Sequence, residues 1–238
     1  MRFAEDVIAV DHVDLHVDGG EIVSLVGPSG CGKTTMLRAI ARLQSISQGS
    51  VTLDPLADAS QGQVGFVFQQ PALLPWATTL QNVMLPLELI NRGDATERRR
   101  AAEESLAAVQ LSDAMEKRPH ELSGGMQMRA SIARALVTDP SILLLDEPFA
   151  ALDDMLRNEL GRLLLSLWES RRFTAVMVTH NLSESILLSR RIAVMRDGRM
   201  AAVLDNPVSW PRSPAQMRTP EFGEFLGVVA DRLRGVQA

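Results

Sequence analysis

The spacing of apolar residues changes along the chain and predicts several kinds of segment. Val13, Leu15 and Val17 alternate with polar residues, which is typical of a strand, and this strand is expected to end at Gly19-Gly20. Residues 142–145 form a continuous apolar run, as expected for a central strand buried on both faces of a parallel sheet. Further strands are predicted at residues 22–26, 50–53, 64–68, 173–179 and 192–195, and after an Asp197-Gly198 turn.

Helical periodicity separates these strands. A helix is predicted over residues 33–43, and residues 78–138 carry helical patterns without a strand pattern. Leucines at helical spacing indicate another helix: Leu156, Leu160, Leu163, Leu164 and Leu167. This alternation predicts an α/β core with right-handed crossovers. We expect a single domain over residues 1–238, with a core at 1–75 and 139–205, a helical lobe inserted at 76–138, and a tail at 206–238 closed by a short helix.

Charge and composition narrow the functional classes. The net charge of -5 argues against non-specific binding of nucleic acid, which needs a basic face. The first ten residues do not resemble a signal peptide, and no apolar stretch approaches the ~20 residues that span a bilayer. If the protein works at a membrane, we expect other subunits to span it. The single cysteine fits a reducing cytosol.

A glycine-rich sequence lies between the predicted strand at 22–26 and the helix that follows. It reads Gly27-Pro28-Ser29-Gly30-Cys31-Gly32-Lys33-Thr34-Thr35 and matches G-x-x-x-x-G-K-[ST]. Glycines let backbone N–H groups curl around phosphate oxygens, and the helix adds its positive end. Lys33 would bridge the outer phosphates, and the Thr34 hydroxyl would ligate Mg²⁺. Cys31 is interpreted as tolerated for its size, with a redox switch as the alternative. The sequence thus predicts that the chain binds ATP and hydrolyses it.

Two acids follow the apolar run at 142–145. Asp146 and Glu147 would lie at the carboxyl end of a buried strand, where parallel sheets form their ligand crevice. We expect Asp146 to hold Mg²⁺ through water. Glu147 would orient and deprotonate the attacking water, a contribution worth ~10²–10⁴-fold.

A second candidate anion site precedes a helix predicted to run to about residue 138. Ser123 offers a hydroxyl, and Gly124 and Gly125 expose N–H groups at a helix N-terminus. Because one chain has one phosphate loop, this second site is expected to serve the ATP of another copy.

Together these sequences resemble the nucleotide-binding subunit of an ATP-binding-cassette (ABC) transporter over about residues 7–205. The remaining matches follow in family order: Val67-Phe68-Gln69 is similar to the Q-loop, Ala151-Leu152-Asp153 to the D-loop and His180 to the switch histidine. Because Gln70 follows Gln69, either glutamine could be the Q-loop residue. The resemblance implies a P-loop NTPase core with a mixed, mainly parallel sheet, an N-terminal antiparallel β portion and an inserted helical lobe.

The resemblance also implies assembly and residue roles. Two copies would form a head-to-tail homodimer that sandwiches two ATP molecules between each phosphate loop and the other copy's Ser123-Gly124-Gly125. Gln69 would contact Mg²⁺ and the γ-phosphate, and His180 would contact the γ-phosphate and steady Glu147. The family's partners would be integral membrane permease subunits and, indirectly, a substrate-binding protein. The expected location is peripheral, on the cytoplasmic face of the inner membrane.

Departures from the family pattern affect the adenine site and the D-loop. The chain has no tyrosine, so adenine would stack on Phe3 or be held by apolar contacts alone. Ala150-Ala151 replaces the frequent serine before Leu152, which would weaken coupling between sites. Residues 71–76 are apolar and carry two prolines. They are interpreted as a groove for a short helix of the permease, or as a buried loop.

The stretch from Ala72 to Trp76, together with Leu122-Ser123-Gly124-Gly125-Met126, resembles importers of nitrate, sulfonates and taurine. Residues 151–154, followed by Arg157-Asn158, are also similar to thiamine-precursor importers. The resemblance therefore implies an importer of a small anion or a small organic nutrient. A soluble ABC ATPase is the alternative, although such proteins usually carry two cassettes or a coiled-coil insertion. A phosphate-loop kinase would have no use for Ser123.

Overall fold

The computed structural model describes residues 9–53 and 62–235 of the chain. Its strands are β1 Ile22–Val26, β2 Val64–Val67, β3 Ile142–Asp146, β4 Thr174–Val178, β5 Arg191–Arg196 and β6 Arg199–Asp205. Its α-helices are α1 Lys33–Ile40, α2 Thr79–Leu89, α3 Ala95–Ala108, α4 Gly124–Leu136, α5 Asp154–Arg171, α6 Leu182–Leu188 and α7 Pro220–Arg234. The chain divides into two units, one formed by residues 1–52 and 174–238 and the other by residues 53–173.

The first unit is built around β1. This strand pairs in parallel with β4, where Leu25 lies opposite Val178, and in parallel with β5 on its other side. Every residue of β1 is buried, as the apolar run predicts for a strand with neighbours on both edges. β5 pairs antiparallel with β6. In β6 exposed and half-buried residues alternate, which is typical of a strand with one face toward solvent.

Helix α7 completes the core of the first unit. Phe222, Phe225 and Val229 are buried in one cluster with residues of β1, β5 and α6. The helix begins with Pro220 at its first turn, and the Thr219 side chain accepts a hydrogen bond from the Phe222 N–H. The predicted short closing helix is therefore 15 residues long and belongs to the core. The apolar residues Phe222, Phe225 and Val229 lie at helical spacing, so the sequence pattern does indicate a helix with one buried face.

The second unit combines a strand pair with a helical layer. β2 pairs in parallel with β3, where Val67 lies opposite Leu145, and every residue of β3 is buried. Helices α2, α3 and α4 pack against one another. Both α2 and α3 begin with a capping box, at Thr78 and Asp94, in which the cap side chain accepts from the N–H three residues later. The helical character predicted for residues 78–138 is confirmed.

The mainly parallel, mixed pairing is confirmed, but two predicted strands are not. Residues 50–53 are not a strand, and Val13, Leu15 and Val17 have no strand pairing in the described residues. All three side chains are half-buried and alternate with exposed ones, so the pattern correctly reported which side is covered. Alternation does not specify a hydrogen-bonding partner. The antiparallel pairing in the described residues is β5 with β6.

Phe222 tests the contribution of α7 to the first unit. Only 2% of Phe222 is exposed, so Phe222→Ala should lower the free energy of unfolding by about 3–5 kcal/mol through lost burial and a cavity. Urea denaturation followed by circular dichroism measures this. The control is Val228→Ala on the same helix, where the side chain is 45% exposed and the expected loss is under about 0.5 kcal/mol. Equal losses for the two variants would contradict this assignment of the core.

Candidate nucleotide-binding site

The glycine-rich loop connects β1 to α1 and depends on two glycine properties. Gly30 and Gly32 have φ angles of 80° and 100°, in the left-handed region that side chains disfavour. Gly27 is required for space, because a Cβ there would lie 2.3 Å from the carbonyl oxygen of Met195 and 2.7 Å from Cys31 Sγ. Gly32 is the N-cap residue of α1 and provides no side-chain cap. The backbone at the start of α1 is therefore suited to accept an anion.

The Lys33 side chain folds back onto this loop. Its ammonium donates hydrogen bonds to the carbonyl oxygens of Gly27 and Pro28, both at 2.8 Å, and lies 3.8 Å from Cys31 Sγ. Lys33 is only 5% exposed. The positive charge is thus held at the loop by backbone oxygens. Thr34 and Thr35 follow in the first turn of α1.

His180 lies at the same edge of the sheet as this loop. β4 is the parallel neighbour of β1, and the Thr179 N–H donates to the carbonyl of Leu25 at 3.2 Å. The Thr179 hydroxyl accepts from the Asn181 N–H, and the Asn181 side chain caps α6. The His180 side chain is exposed in this ordered turn. The structure therefore brings together the loop and the histidine, which are about 150 residues apart in sequence.

Asp146, Glu147 and Gln69 are brought together in the second unit. Asp146 is the last residue of β3 and is 6% exposed. Glu147 follows with a φ angle of 46°, an uncommon conformation for a glutamate and one often found at functional sites. Because Val67 of β2 pairs with Leu145 of β3, Gln69 follows β2 at the same edge. Gln69 and Gln70 are both exposed.

Ser123 begins helix α4, as the sequence predicts. Its hydroxyl accepts a hydrogen bond from the Met126 N–H at 3.3 Å. Ser123 and Gly124 are exposed, whereas Gly125 is buried. Arg129, one turn further on, donates to Glu159 of α5 at 2.5 Å and to the carbonyl of Val109 at 3.1 Å. Through Arg129, the N-terminal half of α4 is anchored to Glu159 of α5 and to the backbone at Val109.

Asp153 has a structural role that its motif did not predict. Its carboxylate accepts hydrogen bonds from the N–H groups of Met155 and Leu156, at 3.0 and 2.9 Å, and so caps α5. The predicted D-loop therefore ends at a helix N-terminus. Phe3, the candidate adenine-stacking residue, lies outside the described residues.

The candidate metal ligands agree with the preferences of Mg²⁺. Thr34 offers a hydroxyl, Asp146 a carboxylate and Gln69 an amide oxygen, and Mg²⁺ favours oxygen ligands. No group of three His, Cys, Asp or Glu residues in the described ranges could hold a metal. The hydroxyl, carboxylate and amide oxygens of Thr34, Asp146 and Gln69 fit a cation that is bound by few protein ligands together with substrate phosphates.

Comparisons with known proteins agree with these features. Residues 10–150 match the family model described as ABC transporter. The aliphatic sulfonates import ATP-binding protein SsuB 1 of Mesorhizobium japonicum is 41% identical over 97% of this chain and 84% of its own length. The bicarbonate transport ATP-binding protein CmpD of a Synechocystis species is 39% identical over 94% of this chain and 82% of its own length.

A solved structure extends the comparison to the fold. The dimeric cassette MJ0796, in a post-hydrolysis state bound to ADP and Pi, is 37% identical, with a TM-score of 0.77 over 88% of this chain and 96% of that chain. The chain therefore belongs to the ABC transporter family and is a nucleotide-binding ATPase. In the parts of the chain that the structure describes, no helix is long and apolar enough to cross a membrane.

The close packing around Gly27 gives a test of the loop. Gly27→Ala forces a methyl group against the Met195 carbonyl, so the loop must shift and affinity for ATP should fall about 10- to 100-fold. Isothermal titration calorimetry with ATP measures the change. Gly19→Ala is the matched control, since its added methyl would meet no heavy atom within 4 Å. Equal affinity in the two variants would refute the steric argument.

Proposed function

We propose that this chain is the ATP-hydrolysing subunit of an importer of a small anion, and that it acts as a homodimer. The observation that carries the proposal is the exposed Ser123-Gly124 start of α4, a second anion-binding element in a chain with one phosphate loop. The dimeric cassette in the comparison supports two copies. The anion class follows from relatives that are named for aliphatic sulfonates and bicarbonate.

Binding is assigned to the loop at residues 27–35. The backbone N–H groups at the start of α1 hold the phosphate chain, and Lys33 exchanges its bonds to the Gly27 and Pro28 carbonyls for phosphate oxygens. Thr34, Gln69 and Asp146 supply oxygen ligands for Mg²⁺. When bound, Mg²⁺ neutralises the charge that develops on the phosphates during transfer. Ser123, Gly124 and Gly125 of the second copy complete the site.

Hydrolysis is assigned to Glu147 and His180. Glu147 holds the attacking water and removes its proton, and the left-handed backbone at this residue sets the direction of the carboxylate. His180, exposed in the turn after β4, contacts the γ-phosphate. Gln69 contacts the metal and the γ-phosphate from the edge of β2.

The partners are permease subunits in the membrane and, through them, a substrate-binding protein. Residues 71–76 follow Gln69 directly, and Trp76 is 71% exposed, which supports contact with a partner rather than burial. The location that follows is peripheral, on the cytoplasmic face of the inner membrane. A soluble ABC ATPase is the second candidate. Nitrate, a sulfonate, taurine and a thiamine precursor are the cargoes to test.

Glu147→Gln tests the proposed mechanism. Losing the base should lower the rate of hydrolysis by at least ~100-fold while ATP still binds. With ATP bound and not hydrolysed, the variant should elute from gel filtration as a dimer. Glu169→Gln is the control, because it makes the same charge change at an exposed residue of α5. A Glu147→Gln protein that stays monomeric with ATP and Mg²⁺ would overturn the proposal.

A further inference from the structure

The chain that follows Gln69 is irregular, yet a buried side chain fixes its backbone. Residues 71–77, named here the post-glutamine segment, connect the end of β2 to α2. Asn82 of α2 is fully buried, and its Oδ1 accepts from the Leu74 N–H at 2.7 Å. Its Nδ2 lies within 3.3 Å of three carbonyl oxygens, those of Leu74, Ala77 and Thr78. One end of the segment is thereby tied to α2.

Arg134 ties the other end of the segment to α4. Its Nη1 donates to the carbonyl of Ala72 at 2.8 Å and its Nη2 to the carbonyl of Pro71 at 2.9 Å. Two parallel bonds from a planar guanidinium fix direction as well as distance. Ala72 has a φ angle of 47°, a strained conformation for alanine that needs such support.

Stability alone explains this arrangement poorly. Arg134 is half-buried, and burial lowers the pKa of its guanidinium. Both of these bonds go to backbone carbonyls, which offset the cost of burying a charge less well than a carboxylate would. Two guanidinium nitrogens of Arg134 are directed at consecutive carbonyls of the segment after Gln69, and this geometry indicates a positioning role.

Helix α4 connects this contact to the anion-binding element. Ser123 caps its first turn and Arg134 lies in its last turn, so the two are about 16 Å apart along one helix. Arg129 anchors the same helix to α5 through Glu159. A displacement at the start of α4 would thus reach Pro71 and Ala72 through a rigid element.

We propose that Arg134 is a positioning residue that locks the post-glutamine segment, and with it Gln69, to the helix that begins at Ser123. A γ-phosphate held by Ser123 of one copy would then set the position of that copy's own Gln69. The proposal rests on the proposed function for the role of these two residues. The contact itself can be tested without hydrolysis.

The experiment compares Arg134→Met and Arg134→Lys with a matched control. Arg134→Met removes both bonds, whereas Arg134→Lys retains the charge but loses the two-pronged geometry. Arg171→Met is the control, because Arg171 donates to the Leu136 carbonyl at 2.9 Å, at the end of the same helix. Amide hydrogen exchange by mass spectrometry reports the protection of residues 72–78. Steady-state kinetics with Mg-ATP give kcat and KM.

Arg134→Met should raise exchange across residues 72–78 and lower kcat by about 10- to 100-fold, as expected for displaced catalytic groups, with KM changed less than about twofold. Arg134→Lys should fall between wild type and Arg134→Met in both measurements. Arg171→Met should leave exchange in the segment and kcat near wild type.

The proposal is overturned if Arg134→Met matches Arg171→Met in both measurements, or if kcat falls equally in both variants. If Arg134→Met does not fold, Arg134→Lys decides, and wild-type exchange and kcat in that variant overturn the proposal. If the wild-type protein does not hydrolyse ATP, the proposed function is wrong. Amide hydrogen exchange of residues 72–78 would still show whether Arg134 holds the post-glutamine segment.

Discussion

Parallel pairing in register is the constraint on which the positions of two groups of predicted site residues depend, one group in each unit of the chain. Leu25 of β1 lies opposite Val178 of β4, so the phosphate loop and His180 leave the sheet at one edge. Val67 of β2 lies opposite Leu145 of β3 in the other unit, so Gln69 and Glu147 also share an edge. These registers place the residues that follow each strand at a common edge, and so they fix where the predicted catalytic groups lie.

Much of the site could be predicted because its chemistry requires local sequence. The loop at 27–35 needs glycine where the backbone is left-handed, as at Gly30 and Gly32, and a lysine whose position is set by the helix start. β3 could be predicted because a strand buried on both faces must be continuously apolar. Ser123 could be predicted because helix starts favour a hydroxyl cap. In each case, one stretch of sequence contains the whole physical requirement.

The remaining features depend on contacts between distant residues. Arg134 and Asn82 appear in the sequence as ordinary helix residues, and their roles depend on carbonyls at Pro71, Ala72 and Leu74. The segment at 13–17 has strand periodicity but no strand pairing in the described residues, and periodicity alone does not specify a pairing partner. The periodicity of apolar residues indicates which side chains are buried, whereas strand pairing and the roles of Arg134 and Asn82 depend on hydrogen-bonding partners elsewhere in the chain.

The central claim is that each site is completed by a second copy, and mixing two defective variants tests it most directly. Lys33→Ala should disable the phosphate loop and Ser123→Arg should block the proposed anion-binding start of α4, so each variant alone should be inactive. In a head-to-tail heterodimer one site carries both defects and the other carries none. Reassociated equimolar variants should therefore recover up to about a quarter of wild-type ATPase activity, since half of the dimers are mixed and each has one intact site of two. A mixture that forms dimers but remains as inactive as its components would contradict the account.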